Sequence, residues 1–179
     1  DGFRIVIHKN GDKVKLFTRR LDEVTKQFPE VVKYVLSNVS AKTCILDSEA
    51  VGYDAKTKKY LPFQNISQRI KRKYDIEKMT KQFPVEVNIF DILFADGESM
   101  LKKPFSYRRE KLEKIVNLSK WHIVIAKQII TGDSVEAGKY YQEALDAGEE
   151  GVMFKNLEGI YKPGSRVGYG VKVKPVMES

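Results

Sequence analysis

Apolar and polar residues alternate along several short stretches of this chain, and these stretches predict most of its strands. Near the amino terminus Phe3, Ile5 and Ile7 are each separated by a single residue. A period of two is typical of an extended segment with one buried face. The same alternation, together with short apolar runs bounded by turn residues, predicts further strands. The predicted strands cover residues 3–8, 14–17, 44–53, 60–62, 85–95, 123–130, 151–154 and 170–175.

Turn residues join many of these strands over short distances. Asn10-Gly11 lies between the first two strands and Asp96-Gly97 ends the fifth, and such pairs are typical of hairpins. In four other stretches apolar residues recur at three- and four-residue spacing, which predicts helices. These helices are residues 28–36, 63–74, 107–116 and 134–147, the last with Ser134 as N-cap and Gly148 as its stop.

Strands outnumber helices in this pattern, and most neighbouring strands are joined by short turns. The chain is therefore predicted to be an α+β protein in which antiparallel sheets are flanked by helices. Its 179 residues are enough for one hydrophobic core, and we expect residues 1–179 to form a single domain.

The charge balance is basic, with 32 Lys and Arg against 24 Asp and Glu, a formal charge of +8 and a pI near 9.4. This excess favours a polyanionic partner such as nucleic acid, although abundant Lys and Glu are also typical of heat-adapted proteins. We interpret the basic stretch formed by Arg69, Lys71, Arg72 and Lys73 as a nucleic-acid-binding segment. The apolar runs are too short to span a membrane, and the single cysteine, Cys44, is typical of an intracellular protein.

Two carboxylates occupy positions that suit binding as well as structure. Glu49 lies within an apolar predicted strand, two positions after Asp47, and Glu150 precedes Gly151 at the start of another strand. Carboxylates are rarely buried without a partner or a metal. Both glutamates can bind Mg²⁺, and Glu49 can also bind a ribose hydroxyl. The alternatives are a solvated sheet face for Glu49 and an acidic turn for Glu150.

Cationic and aromatic residues supply further candidates. Lys172 and Lys174 project from one face of the last predicted strand, where they repel each other unless an anion such as phosphate lies between them. Lysines of an exposed sheet edge are the alternative. Phe90 can stack on a base or belong to the core. Near the amino terminus, Gly2 permits close approach to a ligand and Arg4 offers a planar fork of donors.

Six segments, taken in order, form a set of motifs. Through them the chain resembles the adenylation domain of ATP-dependent DNA ligases of the archaeal and eukaryotic type, over essentially its whole length. The segments are Asp1-Gly2-Phe3-Arg4 (similar to the tail of KxDGxR), Phe17-Thr18-Arg19-Arg20 (FSR), Asp47-Ser48-Glu49 (D-[GS]-E), Phe90-Asp91-Ile92-Leu93 (the aromatic strand), Glu150-Gly151-Val152-Met153-Phe154-Lys155 (EGxMxK) and Lys172-Val173-Lys174 (KxK). Residues 62–72 and 104–109 also resemble stretches typical of DNA ligases rather than of capping enzymes.

The resemblance implies an ATP-grasp-like nucleotidyltransferase fold, with ATP and Mg²⁺ as cofactors and nicked duplex DNA as the partner. A lysine attacks the α-phosphate of ATP, AMP passes from that lysine to the 5′-phosphate of the nick, and the 3′-hydroxyl displaces AMP. The implied roles are α-phosphate neutralisation by Lys172 and Lys174, ribose binding by Glu49, metal binding by Glu49 and Glu150, adenine stacking by Phe90, and nucleotide contacts by Asp1, Gly2, Arg4 and Arg19.

Two departures from the family pattern concern the phosphate site. The nucleophilic lysine is expected two residues before Asp1, and no lysine of this chain stands in the motif position; Gly170 replaces a Trp that many relatives have there. The resemblance also implies a DNA-binding domain before these residues and an OB-fold domain after them. We expect a monomeric protein in the cytoplasm of a prokaryote or the nucleus of a eukaryote, and the sequence identifies no recruiting partner such as a sliding clamp.

Two other functions remain open from the sequence. An RNA ligase or an mRNA-capping guanylyltransferase shares the lysine and carboxylate motifs. A non-catalytic module would bind nucleic acid through the basic stretch alone, and it would need neither Glu49 nor Lys172.

Overall fold

The computed structural model describes residues 2–163 and 170–175, most of which surround one large sheet. Its hydrogen-bonding order is β2-β1-β3-β5-β6, with β4 beside one end of β3 and β7 beside β5. The strands are β1 (Phe3–Asn10), β2 (Lys13–Phe17), β3 (Thr43–Asp54), β4 (Lys59–Tyr60), β5 (Val85–Ala95), β6 (Glu98–Ser99) and β7 (Ile123–Ile125). A second sheet pairs β8 (Val152–Lys155) with β9 (Gly170–Val173).

Five α-helices flank these sheets in the described part of the chain. They are α1 (Pro29–Asn38), α2 (Ser67–Lys71), α3 (Ile76–Gln82), α4 (Phe105–Ile115) and α5 (Ser134–Asp146). The α+β class with antiparallel sheets and flanking helices is confirmed, with the parallel pairing of β5 and β7 as an exception. Among the described residues, none of the helices combines the length and the apolar character that crossing a membrane requires.

One face of the large sheet forms the hydrophobic core. Ile5 and Ile7 of β1 are fully buried, as the alternation predicts, and they belong to one cluster with Val31 and Val35 of α1 and Leu112 of α4. Because successive side chains of a strand point to opposite faces, the same strands present their polar residues on the other face. The candidate residues Arg4 and Glu49 occupy that second face.

The predicted hairpin and the predicted long strands are confirmed, but three local predictions are wrong. The strand predicted to reach residue 130 ends at Ile125: the Ala126 N–H still bonds to the Ile89 carbonyl, but Ile129 and Ile130 beyond it are 37% and 68% exposed. The helix predicted over residues 63–74 is much shorter, because α2 covers only Ser67–Lys71. A separate helix, α3, begins after Asp75, whose φ is 53°. The N-cap of α5 is Asp133, whose side chain accepts the backbone N–H of Val135.

Candidate active site

The polar face of the large sheet places three candidate side chains in one row. Glu49 of β3 is partly buried, and its register partners are Arg4 on β1 and Asn88 on β5. Gly2 permits this close pairing, because a Cβ added at Gly2 would lie 1.9 Å from the carbonyl oxygen of Ala50. A cation, a carboxylate and an amide are therefore adjacent at the start of β1.

Arg4 is fixed by a carboxylate and a tyrosine. Its Nε donates to Oδ1 of Asp47 at 2.7 Å, and its Nη2 donates to Oδ2 of Asp47 and to the hydroxyl of Tyr161. The Tyr161 hydroxyl in turn donates to Asp47 Oδ2 at 3.0 Å. The hydrogen bonds that Arg4 donates to Asp47 raise the pKa of Arg4, and burial together with the Asp47 charge raises the pKa of Tyr161 to about 12. The guanidinium is thus held in one orientation beside Glu49.

A register shift in β5 determines which side chains face the site. Ile89 and Asp91 pair with adjacent residues of β3, so Phe90 is an extra residue between them. The strict alternation predicted for this strand is therefore wrong beyond Ile89. The extra residue moves Asp91 to the face of the polar row and Ile92 to the core.

Lys155 of β8 connects the second sheet to this irregular segment. Its Nζ lies 5.0 Å from the ring centroid of Phe90 and 4.9 Å from that of Phe105. Burial lowers the pKa of Lys155, while the charge of Asp91 opposes that change. Asp91 is in turn paired with buried Arg108, whose Nε donates to Asp91 Oδ1 at 2.7 Å. The Lys155 ammonium group therefore lies beside Phe90, near the ion pair of Asp91 and Arg108.

The start of β8 requires a glycine and places a carboxylate against β9. Gly151 has a φ of +154°, and a Cβ there would lie 2.0 Å from the carbonyl oxygen of Val173. This close approach brings Glu150 beside Lys174, whose Nζ donates to Glu150 Oε2 at 2.9 Å. That hydrogen bond lowers the pKa of Glu150 and raises the pKa of Lys174.

The pKa of Lys172 is affected by charged groups of both sheets. Burial and the neighbouring charge of Lys174 lower the pKa of Lys172, and the charges of Glu49 and Glu150 oppose that change. Charges shift a pKa in this way only at short range. Glu49 of the large sheet and Glu150 and Lys174 at the small sheet therefore all influence the pKa of this ammonium group.

The two glutamates fit part of a magnesium site. Within residues 2–163 and 170–175, no group of three or more His, Cys, Asp or Glu side chains is arranged to hold a metal ion by itself. Mg²⁺ in nucleotide sites typically takes one or two carboxylates and completes its shell with water and substrate phosphates. Glu49 and Glu150 fit that arrangement, in which the ion would neutralise phosphate charge.

Arg19 is not brought into this group. Arg19 is exposed in the turn after β2. Asp1 lies outside the described residues, so its predicted nucleotide contact stays a prediction.

The prediction that Arg69 binds nucleic acid is wrong, because this side chain is buried. Arg69 is 1% exposed, and its guanidinium pairs with Glu30 and donates to the backbone carbonyl of Gln27 at 2.9 Å. It also lies over the ring of Phe28, with 4.4 Å between the guanidinium carbon and the ring centroid. Its role is to join α1 to α2. Lys71 and Lys73 are exposed and Arg72 is partly exposed, so for these three residues nucleic-acid binding stays a prediction.

Three residues near the site were not singled out from the sequence as site residues. Lys155 stands in the EGxMxK segment, which is a signal that could have identified it. Tyr161 follows no recognisable pattern. Burial raises the pKa of Glu149, with further contributions from the charges of Glu86 and Glu49, so Glu149 also lies close to the site.

The chain is similar to known DNA ligases in sequence. The sequence model of the family described as ATP dependent DNA ligase domain matches residues 1–174. The DNA ligase of Nanoarchaeum equitans is 55% identical over 179 residues, and that of Methanopyrus kandleri is 44% identical over 179 residues. Each alignment covers 100% of this chain and 32% of the relative, so the chain spans about a third of the length of the curated relatives it matches.

Solved structures give the same result for the fold. The ligase domain of LigD from M. tuberculosis matches with a TM-score of 0.71 and 26% identity, covering 97% of this chain and 52% of that one. The Chlorella virus DNA ligase–adenylate matches with a TM-score of 0.58 and 16% identity, covering 90% and 53%, and it shows the fold alone. Since the family match extends over nearly all residues and the archaeal relatives align over the whole chain, this chain belongs to the family of ATP-dependent DNA ligase domains.

Proposed function

We propose that this chain is the nucleotidyl-transfer core of an ATP-dependent DNA ligase. The observation that best supports the proposal is the hydrogen bond between Lys174 and Glu150 beside Lys172, whose pKa is influenced by the charges of Glu150 and of Glu49 on the large sheet. Two ammonium groups beside two carboxylates suit a phosphate group that is bound together with a divalent cation. Membership of the ligase domain family supports the same function.

The proposed reaction has three displacement steps. The amino group of a lysine attacks the α-phosphorus of ATP, the bond to pyrophosphate breaks, and the lysine becomes bonded to AMP. A 5′-phosphate oxygen at the nick then attacks that phosphorus and releases the lysine. Finally the 3′-hydroxyl attacks the 5′-phosphate, joins the strand and releases AMP. We place the nucleophilic lysine two residues before Asp1, within a longer polypeptide that also has DNA-binding and OB-fold domains.

The residues around Lys172 would supply charge stabilisation in each step. Lys172 and Lys174 neutralise the α-phosphate as negative charge develops on its oxygens. Lys172 is exposed, and the lowered pKa of its ammonium group reflects partial desolvation together with the neighbouring charge of Lys174. Glu150 would be a ligand of the divalent ion. Glu49 would bind the ribose hydroxyls and would be a second ligand of that ion. Arg4, fixed by Asp47, contacts the sugar or the phosphate.

Phe90 is proposed to stack on adenine. It lies at the register shift of β5, where an extra residue allows a side chain to be directed away from strict alternation. Lys155 near the Phe90 ring favours one ring orientation, since a cation is attracted to the face of an aromatic ring. For Asp1, Gly2 and Arg19 we retain the nucleotide contacts that the motifs imply.

Nicked duplex DNA is the proposed substrate and partner. The net charge of +8 favours a polyanion, and exposed Lys71 and Lys73 can contact phosphates sequence-independently. Such a protein would act where the chromosome is, in the cytoplasm of a prokaryote.

Strand joining by the full polypeptide tests this function against its alternatives. We expect sealing of nicked duplex DNA with ATP, little sealing of nicked RNA, and no covalent labelling by GTP. Lys172→Met removes the charge at similar side-chain length and should reduce sealing by at least about a hundredfold, in line with the loss of one charge-stabilising group. Efficient RNA sealing would instead indicate an RNA ligase, and covalent labelling by GTP would indicate an mRNA-capping guanylyltransferase. Sealing that is unaffected by Lys172→Met would contradict the assigned site.

A further inference from the structure

Two lysines lie against a tryptophan and a tyrosine beside the candidate active site, outside all the family motifs. We define the cation–aromatic patch as Lys58, Tyr60, Lys120 and Trp121. Lys120 Nζ lies 4.5 Å from the Trp121 ring centroid and 5.2 Å from that of Tyr60. Lys58 Nζ lies 5.4 Å from the Trp121 ring centroid. Both lysines are exposed and both rings are partly exposed, so the patch faces solvent.

A buried carboxylate holds the patch in place from below. Glu86 of β5 is fully buried, and its oxygens accept the Tyr60 hydroxyl at 2.7 Å and the Trp121 backbone N–H at 2.8 Å. Lys120 Nζ lies 3.4 Å from the same carboxylate and donates to the Tyr60 hydroxyl at 2.7 Å. Burial and the bond to Glu86 strongly raise the pKa of Tyr60, which keeps this hydroxyl protonated as a donor.

Two residues of the patch adopt a backbone conformation that does not suit their side chains. Lys58 has a φ of 55° and Trp121 a φ of 69°. Glycine and asparagine adopt this left-handed region with less strain than lysine and tryptophan. The chain therefore has long side chains at two positions where the backbone alone favours small ones. Residues with strained backbone conformations cluster at binding sites, which favours a role for these two side chains in binding a ligand.

The patch lies on the same sheet face as the candidate active site. Glu86 pairs with Val51, two residues along β3 from the pair of Glu49 and Asn88. The Asn88 amide donates to Glu86 Oε1 at 3.2 Å. The charges of Glu86 and Glu49 both contribute to the raised pKa of Glu149, after burial. A strand advances by about 3.3 Å per residue, which separates the two register pairs by only about 7 Å.

We propose that the cation–aromatic patch binds the phosphodiester backbone of duplex DNA next to the nick. This inference rests on the proposed ligase function, because that function requires the duplex to cover the face that carries Glu49 and Lys172. Exposed Lys56 lies in the same turn as Lys58, and exposed Lys59 follows at the start of β4, so the surface there is basic. Lysines held against aromatic rings lose less side-chain freedom when they bind phosphate.

The decisive variant is Lys58→Gly in the full polypeptide. It removes one ammonium group and at the same time relieves the left-handed backbone strain at that position. We expect thermal stability equal to or above that of the wild type, and binding of nicked duplex DNA weakened about two- to tenfold at moderate salt. The slope of log affinity against log salt should fall by about 0.9, the change for one lost phosphate contact. Lys58→Asn, which also tolerates this conformation, should behave in the same way.

Lys33→Ala is the matched control. Lys33 is exposed on α1, which packs on the core face of the sheet, so this variant removes one charge from the other side of the molecule. DNA affinity equal to wild type in the control, and reduced in Lys58→Gly, supports the patch. Equal losses in both variants, an unchanged salt slope for Lys58→Gly, or a change in the KM for ATP instead of DNA affinity would overturn it.

The same assay separates this inference from the proposed function. Covalent labelling of the protein by AMP does not need DNA, so Lys58→Gly should be labelled at the wild-type rate. Wild-type protein that is not labelled would contradict the ligase function itself. Labelled protein whose DNA binding is insensitive to Lys58→Gly would contradict only the patch.

Discussion

At the scale of single residues, the pair formed by Asp91 and Arg108 is the clearest case of a charge that depends on its partner. Both side chains are nearly inaccessible, and two hydrogen bonds of 2.7 and 3.1 Å join them. Arg108 also donates to the backbone carbonyl of Gly159 at 2.9 Å. The pair therefore connects β5, α4 and the segment after β8, directly beside Phe90.

Arg108→Met should destabilise the protein strongly, because it leaves the Asp91 carboxylate buried without its partner. The expected loss is about 3–5 kcal/mol in the free energy of unfolding, measured by urea denaturation. The double variant Arg108→Met/Asp91→Asn should recover part of this loss, since a neutral amide costs less to bury. A loss below about 1 kcal/mol for the single variant would mean that solvent reaches Asp91.

The contact of Glu150 with Lys174 should depend on pH in a defined direction. The folded state lowers the pKa of Glu150 below its ordinary value of 4.5, so the contact stabilises the fold above that value and is lost as pH falls through the lowered folded-state pKa. We expect Lys174→Met to lower Tm slightly at pH 6 to 8 and to match the wild-type Tm in stronger acid. A Tm difference that persists unchanged in strong acid would show that the contact is not ionic.

At the scale of elements, the sequence was most informative where the period of burial and the turn chemistry agree. The hairpin at Asn10-Gly11 is confirmed, because alternating side chains and a left-handed glycine specify it locally, and the strands β3 and β5 are confirmed as extended segments. The register shift at Phe90 was not predictable, since an extra residue in a strand is set by its neighbour strand. The start of α3 was not predicted, because Asp75 precedes the helix in a left-handed backbone conformation that the sequence does not reveal.

Gly151→Ala tests how the β8–β9 element positions Glu150. An added Cβ would meet the Val173 carbonyl at 2.0 Å, so the two strands must separate and the contact between Glu150 and Lys174 should be lost. We expect AMP labelling to fall at least about tenfold, since small displacements of positioning groups have large effects on rate.

Gly138→Ala provides the matched control for this substitution. Gly138 lies within α5, and a Cβ there would meet no atom within 4 Å. Alanine should raise stability by about 0.5–1 kcal/mol and leave labelling unchanged. Equal labelling by Gly151→Ala and Gly138→Ala would show that the close approach of β8 and β9 is not needed.

At the scale of the whole molecule, the candidate site depends on contacts between residues far apart in the sequence. The motifs predicted which residue types would be involved; the structure joins Lys174 to Glu150, and the charges of Glu49 and Glu150 both influence the pKa of Lys172. The contacts of Arg4 with Asp47 and Tyr161 were not predictable, because they join three distant segments and no local period reports them. Burial of Arg69 was missed for a related reason: a basic stretch looks exposed in sequence, and its partner Glu30 lies on another helix.

The central claim is that side chains from both sheets act on one nucleotide, and mass spectrometry of the intact full polypeptide after incubation with ATP and Mg²⁺ tests it most directly. Wild-type protein and the Lys33→Ala control should each gain the mass of one AMP on a single lysine. Glu49→Gln, which preserves side-chain shape, and Lys172→Met should show little or no gain while remaining folded. Folded Glu49→Gln and Lys172→Met proteins that gain AMP as fast as the wild type would contradict the account.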